Sequence, residues 1–125
     1  MSSHSPLVAV VDDEPEVRRA LQRLLRSAGF AVEVYASGAA FLDGLPDHRP
    51  DCLVLDLHMP GSDGFALQDA LSRRGSMIPV VMITGGESVG ARARALTGGA
   101  SAFLCKPMED TELLAAIRGA IGAMH

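Results

Sequence analysis

Tryptophan is missing from the sequence, tyrosine occurs once and phenylalanine four times, so aromatic residues make up only 4% of the chain. Leu, Val, Ile, Ala and Met must therefore supply the core. Cysteine is nearly as scarce. Cys52 and Cys105 stand far apart, form no CxxC pair and have no histidine at metal-ligand spacing, which excludes a zinc site built on them. They read as two buried thiols in a reducing compartment. No apolar run approaches the ~18 residues of a membrane span. The opening MSSHSPLVAVVDDE lacks a basic region and turns acidic too early for a signal peptide. An excess of positive charge is missing as well: 11 Lys plus Arg against 15 Asp plus Glu leaves −4 at neutral pH. That balance argues against a binder of nucleic acid or anionic membranes, both of which require clustered positive charge. The expectation is a soluble cytoplasmic domain with no nucleic-acid or membrane partner of its own.

What remains is apolar and ordered. Of the 125 residues, 48% are apolar and 21% charged, a globular composition at single-domain length. A chain of this size buries roughly two-thirds of its unfolded surface and needs no disulfide staple. Five apolar runs punctuate it: LVAVV at 7–11, AVEVY at 31–35, CLVLD at 52–56, PVVMIT at 79–84 and SAFLC at 101–105. Four lack alternation, as strands buried on both faces do; AVEVY alternates and reads as an edge strand.

Helical periodicity fills the gaps. Val17, Leu21, Leu24, Leu25 and Ala28 share one face, with Gly29 as the stop. Ser37 can cap a short helix through Phe41 and Leu42. Residues 65–74 carry Phe65, Leu67, Ala70 and Leu71, with Asp63 and Gly64 read as the turn leading in. Residues 88–97 are weaker, with Val89, Ala93 and Leu96 facing one way among several glycines. The last helix has Asp110 as its expected N-cap and Leu113, Leu114, Ile117, Ile121 and Met124 on one face. Strand and helix alternate five times, which predicts a (βα)5 doubly wound α/β fold with a parallel sheet between two helical layers. Residues 1–125 form one domain in this reading, with about 1–6 small, polar and disordered.

In such sheets ligands bind at the carboxyl ends of the strands. The first run is followed by Asp12, Asp13 and Glu14; the third ends in Asp56; the fourth ends in Thr84, then Gly85 and Gly86; the fifth leads into Lys106-Pro107. An Asp after a strand is commonly a helix cap, and a lone Lys is commonly a solvated one. Together they have a different meaning. Several carboxylates at one edge repel unless a cation neutralises them, and such oxygen donors suit Mg²⁺. An ammonium and a hydroxyl can then meet a phosphoryl group, which a carboxylate can accept covalently. The chemistry suggested is Mg²⁺-assisted phosphoryl transfer onto an aspartate.

These residues resemble the receiver domain of bacterial two-component response regulators. The resemblance rests on VVDDEPEVR at 10–18, LVLDLHMPGSDG at 53–64, VVMITGG at 80–86 and FLCKPMED at 103–110, and spans roughly residues 6–122. ITGG and KPMED look most like the FixJ-type branch. The resemblance implies a flavodoxin-like five-stranded sheet of order 2-1-3-4-5. It implies Asp56 as phosphoacceptor, Asp13 and Asp12 as Mg²⁺ carboxylates, and a backbone carbonyl of His58 as a further metal ligand. It implies that Lys106 and Thr84 contact the phosphoryl group, that Phe103 moves with Thr84 as a switch, and that Lys106-Pro107 is a cis peptide. Its implied partners are a sensor histidine kinase or phosphotransfer protein, and a second copy of the chain through the fourth helix, fifth strand and fifth helix. The domain is then a phosphorylation-controlled switch and not an enzyme with a separate substrate.

Some features depart from the pattern or read more plainly. Gly86 and His58 occupy positions that in the family tune water access to the acyl phosphate; His58 reads as solvent-facing. Met77, Met82 and Met108 read as packing residues, and Arg18, Arg19, Arg23 and Arg26 as a solvated helix face. The alternatives are a Mg²⁺-dependent aspartate-nucleophile phosphatase of the haloacid-dehalogenase type, a flavodoxin-like nucleotide binder, and a pseudo-receiver interaction module. The first lacks an acid two residues after Asp56, the second lacks a phosphate loop after the first strand, and the full set of acids, Thr and Lys speaks against the third.

Overall fold

Each apolar run forms a strand because its Val, Ile and Leu side chains pack on a pleated surface. A computed structural model, describing residues 5–45, 49–56, 63–85 and 90–123, contains β1 (Leu7–Val11), β2 (Ala31–Tyr35), β3 (Cys52–Asp56), β4 (Val80–Thr84) and β5 (Ala102–Cys105). The pairings are parallel and the order is β2-β1-β3-β4-β5. This is the doubly wound, flavodoxin-like order that the resemblance implies. Residues 1–4, for which disorder was expected, lie outside the described residues. Pro6 is tied in, its carbonyl accepting from the Ala31 amide at 2.9 Å.

Period-two alternation sorts the strand residues between two cores. Val8, Val10, Val54, Val81 and Ile83 pack with Leu25 of helix α1 (Pro15–Ser27) and with Leu113, Ile117 and Ala120 of α5 (Asp110–Gly122). Ala9, Val11, Leu53, Leu55 and Met82 face the other way, toward Phe41 of α2 (Gly38–Gly44), Leu67 and Leu71 of α3 (Asp63–Arg73), and Ala91 and Ala95 of α4 (Ala91–Thr97). Every residue of β3 and β4 is buried. Burial on both faces is why their sequences show no alternation.

The short helix α2 begins as expected, with the Ser37 hydroxyl accepting from the Ala40 amide at 3.1 Å. Several details differ from expectation. β5 is the second edge strand, with Phe103 buried but Cys105 exposed. Only Cys52 is the buried thiol expected; Cys105 ends a strand that is flanked on one side alone. Asp63 and Gly64 form the first turn of α3 instead of a turn before it. In α4 the inward residues are Ala91 and Ala95, whereas Leu96 is 45% exposed and Ala93 is exposed. The small alanines carry too little hydrophobic signal to set the phase of so short a helix, and Val89 lies outside the described residues. Glu109, not Asp110, caps α5, in a reciprocal capping box with Glu112. Met82 is buried and Met108 half-buried, but Met77 is 63% exposed. Met124 lies outside the described residues.

Candidate functional site

Parallel strands deliver their last residues to one edge, and the register decides which residues become neighbours. β1 and β3 pair with Val11 opposite Leu55, so the next positions, Asp12 and Asp56, fall side by side. Adjacent strands lie about 4.8 Å apart. Asp12 is 0% and Asp56 1% exposed. Two carboxylates buried together are costly unless cations and hydrogen bonds compensate them.

Asp12 is held from three sides. Its amide donates to the Tyr35 carbonyl at 3.1 Å, its Oδ1 accepts from the Glu14 amide at 2.8 Å, and its carbonyl accepts from Arg18 Nη1 at 2.7 Å. The carboxylate thus closes a turn that feeds directly into α1, where Pro15 takes the first helical position. Arg18 is half-buried by this bond and departs from the expected solvated face, which Arg19, Arg23 and Arg26 do form. Asp13 stands beyond the turn and is exposed.

Asp56 ends β3 and pairs in register with Ile83, one residue before the end of β4. Its Oδ2 accepts from Lys106 Nζ at 2.7 Å, and this is also an ion pair. Lys106 is the only lysine in the chain. Its amide donates to the Thr84 carbonyl at 2.8 Å, so β4 positions the residue that bridges to β3. A Cβ on Gly85 would sit 3.7 Å from Lys106 Cδ, which places the lysine stem along the backbone after Thr84. The Lys106-Pro107 peptide is cis. Thr84 is 7% exposed, and Phe103, three residues before Lys106, is 6% exposed.

Asp12, Asp56, Thr84 and Lys106 therefore gather at the carboxyl edge, with Asp13 on its outer side. His58 and Gly86 lie outside the described residues. Among the described residues no three His, Cys, Asp or Glu side chains come together as a metal-binding group. Of the three expected carboxylates, Asp12 and Asp56 are buried at this edge and Asp13 is exposed. That donor set still fits Mg²⁺, which takes one or two carboxylates and keeps several waters, where a larger cation wants a fuller protein cage.

Tyr35 lies at the end of β2. Its hydroxyl donates to Glu33 Oε1 at 2.9 Å. Burial, and then this bond and the Glu33 charge, push its pKa up to about 12. Two further residues escaped sequence reasoning. Arg92 of α4 places Cζ 5.3 Å from the centroid of the Phe103 ring. Buried Gln68 of α3 donates through Nε2 to the Ala95 carbonyl at 2.9 Å. Both depend on the phase of α4, which its sequence hardly marks.

A family model described as response regulator receiver domain matches residues 8–118. The transcriptional regulatory protein FixJ of Azorhizobium caulinodans is 42% identical over 116 residues, covering 92% of this chain and 54% of that one. Among solved structures, one titled FixJ-N superposes with a TM-score of 0.87 at 39% identity, covering 95% of each chain. A response regulator receiver protein from Burkholderia phymatum superposes with a TM-score of 0.84 at 45% identity, covering 94% of this chain and 96% of that one. The chain spans about half the length of the curated relatives it matches.

Proposed function

The chain belongs to the response regulator receiver family, of the FixJ type, and from that premise we propose that Asp56 accepts a phosphoryl group from a phosphohistidine and so switches the domain. The donor in this reading is a sensor histidine kinase or a phosphotransfer protein in the cytoplasm. The observation that carries it is the 2.7 Å bond from the single lysine to the buried Asp56 carboxylate, beside a second buried carboxylate, Asp12. A structural ion pair does not require that second acid; a phosphoryl-transfer site does.

Asp12 and Asp13, with Asp56 and the His58 carbonyl, are the residues that would hold Mg²⁺, which when bound supplies positive charge to the transferred phosphoryl oxygens. The chain's own residues do the rest. An Asp56 carboxylate oxygen attacks phosphorus, the phosphorus–nitrogen bond of the donor breaks, and the histidine leaves with its electron pair. Lys106 starts on Asp56 Oδ2 and transfers its hydrogen bond to a phosphoryl oxygen, so its charge remains at the reacting group. The Thr84 hydroxyl donates to another phosphoryl oxygen. The acyl phosphate carries about −1.5 to −2 charge where the carboxylate carried −1, and Thr84 moving toward it changes the space beside Phe103. The packing of β4, α4 and β5 then redistributes between two states. The switched surface of α4, β5 and α5 controls a partner, a second copy of the chain, or an attached output domain.

The test uses intact-mass measurement after incubation with Mg²⁺ and a small acyl phosphate. A gain of one phosphoryl group, lost in Asp56→Asn and without Mg²⁺, is expected. No gain, with no shift of the single lysine signal on adding beryllofluoride, refutes the reading. Sustained turnover of phosphate esters would replace it with the phosphatase alternative.

A further inference from the structure

We propose that Arg92 is a positioning residue for the switch, holding Phe103 in its unmodified arrangement through a cation–π contact; this deepens the reading of Asp56 as a phosphoacceptor and rests on it. Three observations carry it. The Asp56 carboxylate is bonded to Lys106, so the site is in its unmodified form, yet the Phe103 ring is already 6% exposed. A ring on an edge strand needs cover. The inward residues of α4 are the small Ala91 and Ala95, while the Arg92 guanidinium lies over the ring at 5.3 Å from its centroid.

Next, α4 is tied to α3 independently of Phe103. Arg94 places its Cζ 4.2 Å from the centroid of Phe65, and Gln68 Nε2 bonds the Ala95 carbonyl. Gly98 makes room for that glutamine, since a Cβ there would fall 2.6 Å from its Oε1. Arg92 and Arg94 thus reach in two directions, one to β5 and one to α3. With the helix anchored on α3, a moving ring must leave the Arg92 guanidinium behind. The contact belongs to one state of the switch and biases the equilibrium toward it. A contact that favours one state shifts the population only by its own differential strength. For an exposed cation–π pair that is about two- to fivefold.

The test compares the wild type with Arg92→Gln and Arg92→Lys in two measurements. In the metal-free chain, aromatic ¹³C relaxation of Phe103 should show a more mobile ring in Arg92→Gln and near wild-type behaviour in Arg92→Lys, which keeps a cation. With Mg²⁺, Arg92→Gln should bind beryllofluoride about two- to fivefold more tightly. In a Phe103→Leu background Arg92→Gln should have no effect on that affinity, which a general loosening of α4 would not reproduce. Unchanged ring motion and affinity in Arg92→Gln overturn the proposal, as does an equal effect in Phe103→Leu. If the wild type ignores beryllofluoride, the phosphoacceptor reading fails, and with it Arg92's role in the switch. The ring measurement then decides only whether the contact restrains Phe103.

Discussion

Lys106 Nζ lies 2.7 Å from Asp56 Oδ2 across 50 residues of sequence, and no other lysine exists in the chain to replace it. Asp56 is 1% exposed and the lysine side chain 33%, so solvent screens one partner and not the other. Lys106→Met should destabilise the domain by about 1–3 kcal/mol, between the values for exposed and fully buried pairs. The same change in an Asp56→Asn background should cost clearly less. Urea unfolding of the four variants measures both, and equal costs in the two backgrounds would mean the ion pair contributes nothing.

The solitary lysine also makes a selective probe. With lysine labelled at its side chain, the spectrum should contain one lysine ammonium signal, protected from exchange by its bond to Asp56. Asp56→Asn should move that signal and speed its exchange. A signal indifferent to Asp56 would mean that the pair does not persist in solution.

The strand ends were legible for a simple reason. A strand buried on both faces shows as an unbroken apolar run, and the polar residue that breaks it, as at Asp12 or Lys106, marks where the strand ends. What stayed hidden depends on angles that sequence does not carry. Arg18 reaches the Asp12 carbonyl only because α1 leaves β1 through a three-residue connection, Asp12 to Glu14, at one particular phase. Arg92 covers Phe103 only because Ala91 and Ala95, and not Leu96, face inward, and alanine is weak evidence of burial. Cys105 is exposed because β5 is an edge, a fact of strand order and not of its own apolar run. Asp13 differs from Asp12 in exposure although both precede the same helix, since the turn closed by Asp12 leaves its neighbour outside.

The two cysteines should differ sharply in reactivity. Burial, and then the charge of Asp51, push the Cys52 thiol up to about 12 from 9.0, while Cys105 is exposed. At pH 8 the three-unit rise alone lowers the Cys52 thiolate fraction roughly a thousandfold. Ellman's reagent should titrate one thiol rapidly in the folded protein, lost in Cys105→Ser, and a second only on denaturation. Two fast thiols in the native protein would contradict the burial of Cys52.

Alkaline pH should weaken the fold through the same thiol and through Tyr35. Both groups have a folded pKa of about 12, against ordinary values of 9.0 for Cys52 and 10.0 for Tyr35. The folded state therefore binds these protons more tightly than the unfolded state. The stability they contribute is complete below pH 9 to 10 and is lost as pH rises toward 12. With one tyrosine and no tryptophan, phenolate absorbance reports Tyr35 alone. Its midpoint should lie well above 10 in the native protein and fall in Glu33→Ala, which removes both the acceptor and the charge. A midpoint near 10 in the wild type would show that the Tyr35–Glu33 bond does not hold the proton.

Two glycine-to-alanine changes should have opposite signs. Gly98 has an ordinary φ of −78°, so alanine is not excluded there by the backbone. Its Cβ, however, would fall 2.6 Å from Gln68 Oε1, and Gln68 is 5% exposed and bonded to the Ala95 carbonyl at 2.9 Å. The glutamine must move, losing a buried hydrogen bond or straining its neighbours, which should cost about 1–3 kcal/mol. Gly119 lies inside α5 with nothing within 4 Å of an added Cβ. Alanine there restricts the unfolded chain and favours the helix, a gain of about 0.5–1 kcal/mol. Urea midpoints should move down for Gly98→Ala and up for Gly119→Ala. In a Gln68→Ala background the Gly98→Ala cost should largely vanish, since the obstructing side chain is gone. If the cost survives there, the clash with Gln68 is not its cause, and the tie between α3 and α4 does not run through that side chain.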